Sequence, residues 1–128
     1  MAKRYVGTDA AGRVRDPILR DRVTQIELDQ FALDLTLSRS RDRLKAGQPP
    51  GPETSFFKLY GTEVNQRRRE LMIEMMGTQG LGWEGPGYTD DELKITREWL
   101  RSRGNTIEGG TSEVQLNIIA KNVLGLPD

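Results

Sequence analysis

The residues best suited to chemistry lie in one stretch: Arg103-Gly104-Asn105-Thr106-Ile107-Glu108-Gly109-Gly110-Thr111-Ser112-Glu113-Val114-Gln115. A glycine pair lets another group approach the backbone closely. A helix opening behind it aims free N–H groups and a positive dipole end outward. Such a device can hold an anion, for example a phosphate or pyrophosphate. The same spacing also makes an ordinary loop-to-helix connection, and on spacing alone the ordinary connection is the preferred reading.

Composition removes several alternatives. The chain has 128 residues, one domain's worth, with no cysteine and no histidine. A cysteine nucleophile, a Cys/His zinc site and a Ser-His-Asp triad are therefore excluded. No disulfide can form, so nothing calls for an oxidising compartment. The 19 basic and 19 acidic residues cancel, which leaves no nucleic-acid footprint. The basic run Arg67-Arg68-Arg69 reads as a solvated helix face. Met1-Ala2-Lys3-Arg4-Tyr5 lacks the apolar stretch of a signal peptide, and no apolar run reaches a membrane span. The expectation is a cytoplasmic chain with no metal site.

Helices must position the glycine stretch. Residues 1–15 read as an irregular lead-in, and residues 16–128 as a helical-bundle domain. Asp16-Pro17 is a good helix start, with Asp as cap and Pro in the first turn. Leu19, Val23, Ile26, Gln30, Leu33, Leu37, Ser40 and Leu44 then alternate spacings of four and three, and Leu28, Phe31 and Leu35 widen that stripe. Gly47 caps this helix before the turn Gln48-Pro49-Pro50-Gly51. Pro52 opens a second long helix, with Phe57, Tyr60, Val64, Leu71 and Met75 at helical spacing, which stops by Gly77. Arg68 falls on that stripe and reads as a snorkelling or paired edge residue.

Five glycines and a proline make residues 77–88 a loop. Thr89-Asp90-Asp91-Glu92 fits a capping box for a third helix, whose modest apolar face is Leu93, Trp99 and Leu100. A fourth helix starts at Thr111, with Val114, Ile118, Ile119 and Val123 as its buried side, and ends at Gly125-Leu126-Pro127. With no convincing strand alternation, the fold class is all-α: an antiparallel bundle of two long and two shorter helices.

The glycine stretch, with Asn117-Ile118-Ile119-Ala120-Lys121 after it, resembles the C-terminal signature of acyl-CoA dehydrogenases, Gly-Thr-Ser-Glu-Ile-Gln followed by Ile-Ile-Ala-Arg. Asp16-Pro17-Ile18-Leu19-Arg20-Asp21-Arg22 is similar to the opening of that family's first long antiparallel helix partner. Gly47-Gln48-Pro49-Pro50-Gly51-Pro52-Glu53-Thr54-Ser55, then Lys58-Leu59, is similar to its inter-helix turn. The resemblance covers nearly the whole chain in order. It implies the family's C-terminal helical bundle without its first helix, which would precede residue 1.

It also implies a chemistry. A base removes the α-proton of an acyl-CoA thioester, the β-hydrogen leaves as hydride to N5 of FAD, and 2,3-enoyl-CoA results. An electron-transfer flavoprotein commonly reoxidises the flavin. Thr111 and Glu113 occupy positions whose family counterparts contact FAD, often across a subunit boundary. Gly77-Thr78-Gln79-Gly80 resembles a glycine loop near the flavin's adenosine end. Lys3-Arg4-Tyr5-Val6-Gly7 resembles an Arg-x-x-Phe-Gly flavin motif, with Lys3 for the Arg and Val6 for the Phe. The catalytic base departs from the pattern: its usual position, two residues before Thr111, is Gly109, and Glu108 is one residue off. Other family members put the base on the preceding helix, so the base is unassigned.

The family's N-terminal helical and middle β-domains lie outside these residues. The chain is therefore expected to be inactive alone, and an uncovered apolar groove should favour a homo-oligomer or a partner dehydrogenase subunit. The alternatives are a non-catalytic subunit that completes a flavin site in a partner chain and a purely structural helical module.

Overall fold

The computed structural model describes residues 1–51 and 53–127, with the side chain of Glu53 also outside the description. Five α-helices follow one another: α1 (Ala2–Tyr5), α2 (Pro17–Lys45), α3 (Glu53–Met76), α4 (Asp90–Ser102) and α5 (Ser112–Asn122). Short 3₁₀ helices follow α3 (Gly77–Leu81) and α4 (Arg103–Thr106). No sheet forms among the described residues, where strand structure is limited to an isolated bridge between Thr8 and Val14.

Local sequence explains most boundaries. Asp16 caps α2, accepting from the Ile18 and Leu19 amides at 2.8 and 3.1 Å, with Pro17 in the first turn. Gly47, at φ +77°, ends it. The opening of α3 at Pro52 lies outside the described residues. Thr89 caps α4 in a complete capping box with Glu92, and three acids occupy that helix's first turn. Two segments read as irregular from sequence carry helical turns instead: the lead-in has α1, and the glycine-rich loop begins with a 3₁₀ turn. In both, closely spaced i→i+3 and i→i+4 bonds need little side-chain periodicity and so leave little trace in the pattern.

α3 is the central helix. α2 packs antiparallel on one side of it, α4 antiparallel on another, and α5 touches it near its beginning. The α2–α3 register is bracketed by two ion pairs. Arg22 donates to Glu74 at 2.5 Å and Arg67 lies 3.2 Å from Asp29, seven residues along on both helices. Leu71 is buried between them, Leu33 and Val64 are buried beyond the Arg67–Asp29 pair, and Met76 is buried at the end of α3.

The apolar stripes need three corrections. Leu28, Phe31 and Leu35 do not widen the buried face of α2; they point outward. On α4 the buried residues are Glu92, Thr96 and Ser102, while Leu100 is exposed. On α5 Val114 and Val123 are about half exposed, and the buried residue is Gln115. Gln115 is drawn inward by its hydrogen bond to the Gly109 carbonyl, while Ile118 and Ile119 of the apolar face are half-buried.

Candidate functional site

The glycine stretch forms a loop pinned to α3 by polar side chains. Lys58 donates to the carbonyl oxygens of Thr106, at 3.2 Å, and of Gly110. One turn-pair further along the same face, Asn65 donates to Asn105 Oδ1 at 2.8 Å, and Gln66 donates to the Ser102 carbonyl at 2.9 Å. Lys58, Asn65 and Gln66 stand at i, i+7 and i+8, so they share a face of the helix. That polar stripe was readable in the sequence; its target, 36 to 52 residues away, was not.

The backbone of the loop is set by glycine. Gly109 and Gly110 have φ +70° and +100°. A Cβ on Gly110 would stand 2.7 Å from Gln115 Nε2 and displace the end of that side chain, while the positive φ is what calls for glycine. Gln115 uses that nitrogen to donate to the Gly109 carbonyl at 3.0 Å. The buried amide thus ties the first turn of α5 back onto the glycine pair.

Thr111 is the N-cap of α5; its Oγ1 accepts from the Val114 amide at 3.4 Å. Glu113 folds back over the helix start. Its own backbone N–H, then the Thr111 hydroxyl and the nearby Lys58 charge, hold its carboxyl below the usual range. The chain's own carboxylate therefore occupies the helix N-terminus. A phosphate brought there would meet a like charge, so the anion-binding reading of the glycine pair is not favoured by this geometry. What the site presents is a hydroxyl and a carboxylate, groups suited to neutral hydrogen-bond donors.

Glu108 is engaged elsewhere. Arg101 grips it with two bonds, at 3.1 and 2.7 Å, and Asn105 donates to it at 2.5 Å. These contacts hold its carboxyl below the ordinary value. A carboxylate so stabilised in its charged form is a poor proton acceptor. Gly109 has no side chain to act as a base.

Gly77 stands at the other end of the molecule. It is exposed, with φ +56°, at the junction of α3 and the 3₁₀ turn. Along α3 it lies 19 residues beyond Lys58, about 28 Å at 1.5 Å per residue. The structure does not bring Gly77 together with Thr111 and Glu113.

Near that end, Tyr5 donates to Glu92 at 2.5 Å, and Arg4 lies 3.6 Å from the same carboxylate. The Thr89 backbone amide and the Tyr5 hydroxyl bring the Glu92 carboxyl down to about 2. A cleft of about 350 Å³ opens beside Tyr5, walled by Arg4, Arg69 and Lys94 and by Asp91 and Glu98. Its charges nearly balance, so it selects neither sign of ligand.

The model of the "Acyl-CoA dehydrogenase, C-terminal domain" family matches residues 2–124. The chain belongs to the acyl-CoA dehydrogenase family. It is 34% identical over 116 residues to "Acyl-CoA dehydrogenase IpdE1" of Mycolicibacterium smegmatis, covering 91% of this chain and 27% of that protein. A rat relative, "Short/branched chain specific acyl-CoA dehydrogenase, mitochondrial", is 31% identical over 82% of this chain and 22% of its own length. Among solved structures, the ChsE4-ChsE5 complex from Mycobacterium tuberculosis superposes with a TM-score of 0.76 at 26% identity, covering 94% of this chain and 32% of that one. The chain thus spans about a quarter to a third of these acyl-CoA dehydrogenase relatives.

Members of this family generally use FAD. Thr111 and Glu113 offer polar contacts at one end of the bundle, and Gly77 offers an unhindered backbone at the other, where a Cβ would meet nothing within 4 Å. Gly77 lies about 28 Å along α3 from Lys58, which anchors the loop before Thr111, so the two ends do not form one local site.

Proposed function

We propose that this chain serves as the C-terminal helical portion of a flavin-dependent acyl-CoA dehydrogenase, which oxidises an acyl-CoA thioester to its 2,3-enoyl-CoA. The observation that carries the reading is the family match over residues 2–124 with Gly-Gly-Thr-Ser-Glu intact at the start of α5. Where a flavin is bound, it supplies the hydride acceptor. This chain's share is positional: Thr111 and Glu113 offer hydrogen-bond partners to it, and Lys58, Asn65, Gln66 and Gln115 hold them in place. The base lies in neither Glu108 nor Gly109, so these residues alone turn over no acyl-CoA. Electron-transfer flavoprotein is the expected electron acceptor, and the cytoplasm the expected compartment for a chain without cysteine.

A second reading is favoured by the two-chain makeup of the ChsE4-ChsE5 complex. In it the chain is a subunit that completes a flavin site in a longer partner dehydrogenase.

The test is the absorbance and size of the purified chain, alone and with FAD, followed by the same with a longer dehydrogenase chain. A colourless protein that gains flavin absorbance only with the longer chain is expected. Removing the Thr111 and Glu113 side chains should then weaken flavin retention in the mixture. Acyl-CoA turnover by the 128 residues alone would overturn the positional role, and flavin retention indifferent to both substitutions would overturn the assignment of Thr111 and Glu113.

A further inference from the structure

We propose that the hollow between the middle of α2 and the start of α3 binds a small, flat, uncharged aromatic molecule carrying one hydrogen-bond donor, of the phenol or indole class. The hollow measures about 310 Å³ and is lined by Ala32, Leu33 and Thr36 of α2 and by Phe56 and Tyr60 of α3. A volume of that order with an aromatic, largely apolar lining is what small-molecule sites share. Leu33 is buried at its base, while Ala32 and Phe56 are exposed, so the hollow is open to solvent. Phe56 and Tyr60 each stand two residues from Lys58, on the side of α3 turned away from the glycine loop. The hollow is therefore separate from Thr111 and Glu113.

The rings that line it are already arranged. Tyr60 and Phe56 are stacked, with centroids 5.5 Å apart and planes 10° from parallel. Phe57 meets Phe56 edge-on at 6.1 Å. The Arg67 guanidinium lies 5.8 Å from the Tyr60 centroid, and Asp29 holds that arginine at 3.2 Å. Phe56, Tyr60 and Arg67 follow one another along the helix, so ring, ring and cation form a column. Its open end is Phe56, which is 39% exposed. A further ring extends such a column by offset stacking, and each aromatic pair adds attraction beyond the area it buries. Rings that are fixed before the ligand arrives lose little freedom when it does.

Polarity says which ring. Among the described residues, none that lines the hollow is charged. A charged guest would lose water there without gaining a partner. Burial first, and then the Asp29 carboxylate, push the Tyr60 phenol above its ordinary value, which keeps that wall neutral as well. Thr36 donates its hydroxyl proton to the Ala32 carbonyl at 2.7 Å. Its oxygen then keeps a lone pair to accept with but has no hydrogen to give. A guest is matched at Thr36 if it donates, as a phenol O–H or an indole N–H does, and mismatched if it can only accept.

An NMR titration of the full, isotope-labelled 128-residue chain with phenol tests the proposal. Saturable shifts are expected at the amides of residues 32–36 and 56–60, with a Kd on the order of 1 mM, as suits so few heavy atoms. Benzoate, which is charged, should shift none of them. Ala32→Phe, at an exposed position, should fill the hollow and abolish phenol binding with helical circular dichroism unchanged. Two gentler substitutions keep the test independent of that variant's folding. Thr36→Val keeps the shape and removes the acceptor, so it should weaken phenol about fivefold and leave toluene unchanged. Phe56→Leu keeps apolar bulk and removes the ring, so it should weaken phenol and toluene alike. The absence of saturable shifts, shifts spread equally over α4 and α5, or binding that survives Ala32→Phe would mean an adventitious additive only and overturn the site. Benzoate binding as well as phenol would overturn the selection for neutral guests, and equal losses of phenol and toluene in Thr36→Val would overturn the donor requirement. The titration contains no flavin, so this inference and the flavin reading fail separately.

Discussion

The two working faces of α3 differ in kind. Toward α2 it presents the buried apolar side chains Val64 and Leu71, with Leu71 beside Val23 and Ile26, and ion pairs flank them. Toward α4 and the glycine loop it presents Lys58, Asn65, Gln66 and Arg69, and the contacts are hydrogen bonds to distant backbone and side-chain groups. The first kind of contact is non-directional and scales with buried area, so it fixes that two helices meet and how much stability results. The second kind is directional and fixes where a loop sits to within an ångström. Thr111 and Glu113 belong to the loop held by the second face, while Gly77 lies past the end of α3.

The comparison breaks most readily at the apolar face. Leu71→Ala should cost about 2–5 kcal/mol, the range for a buried leucine truncated in a packed core. Denaturant unfolding should show this as an early midpoint for the whole chain. A cost below 1 kcal/mol would mean that the α2–α3 core is not what holds the molecule together.

On the polar face, Gly110→Ala forces a side chain into a left-handed backbone and against Gln115. About 1–3 kcal/mol is expected, with increased hydrogen exchange concentrated in residues 103–115 rather than in α2. Uniform loss of protection would erase the distinction between the two faces. Thr111→Ala should cost about 1 kcal/mol and fray only α5, which exchange at the first amides of that helix would register.

A pH titration sharpens the same contrast at the α4 end. Glu92 is held low, to about 2, by the Thr89 amide and Tyr5. Its folded value lies below its unfolded one, so its contribution is complete above about 4.3 and is lost as pH falls toward 2. Wild type should therefore lose more stability than Glu92→Gln between pH 5 and 2; parallel curves would refute the role assigned to that carboxylate. The smallest effect belongs to the rim of the apolar face. Arg22→Ala removes an exposed ion pair and should change stability by about 1 kcal/mol or less, shrinking further in salt.

The sequence by itself determined the four longer helices and their order. Asp16-Pro17, Gly47 and the Thr89–Glu92 capping box act within a turn of chain, so local residues suffice to place them. It also carried the family signature from Glu108 to Gln115. What tertiary structure decided was facing and engagement. Leu28, Phe31 and Leu35 have the right spacing for a core, yet one helix has more than one apolar stripe, and only the position of α3 selects which is covered. Gln115 is buried in place of Val114 because it bonds to Gly109, a choice no period reveals. Glu108 is committed to Arg101 and Asn105, Glu113 closes its own helix start, and Lys58 reaches across 52 residues to Gly110. Hydropathy depends on residue type and can be read in order along the chain; a hydrogen bond depends on direction and distance, which exist only once the helices have packed.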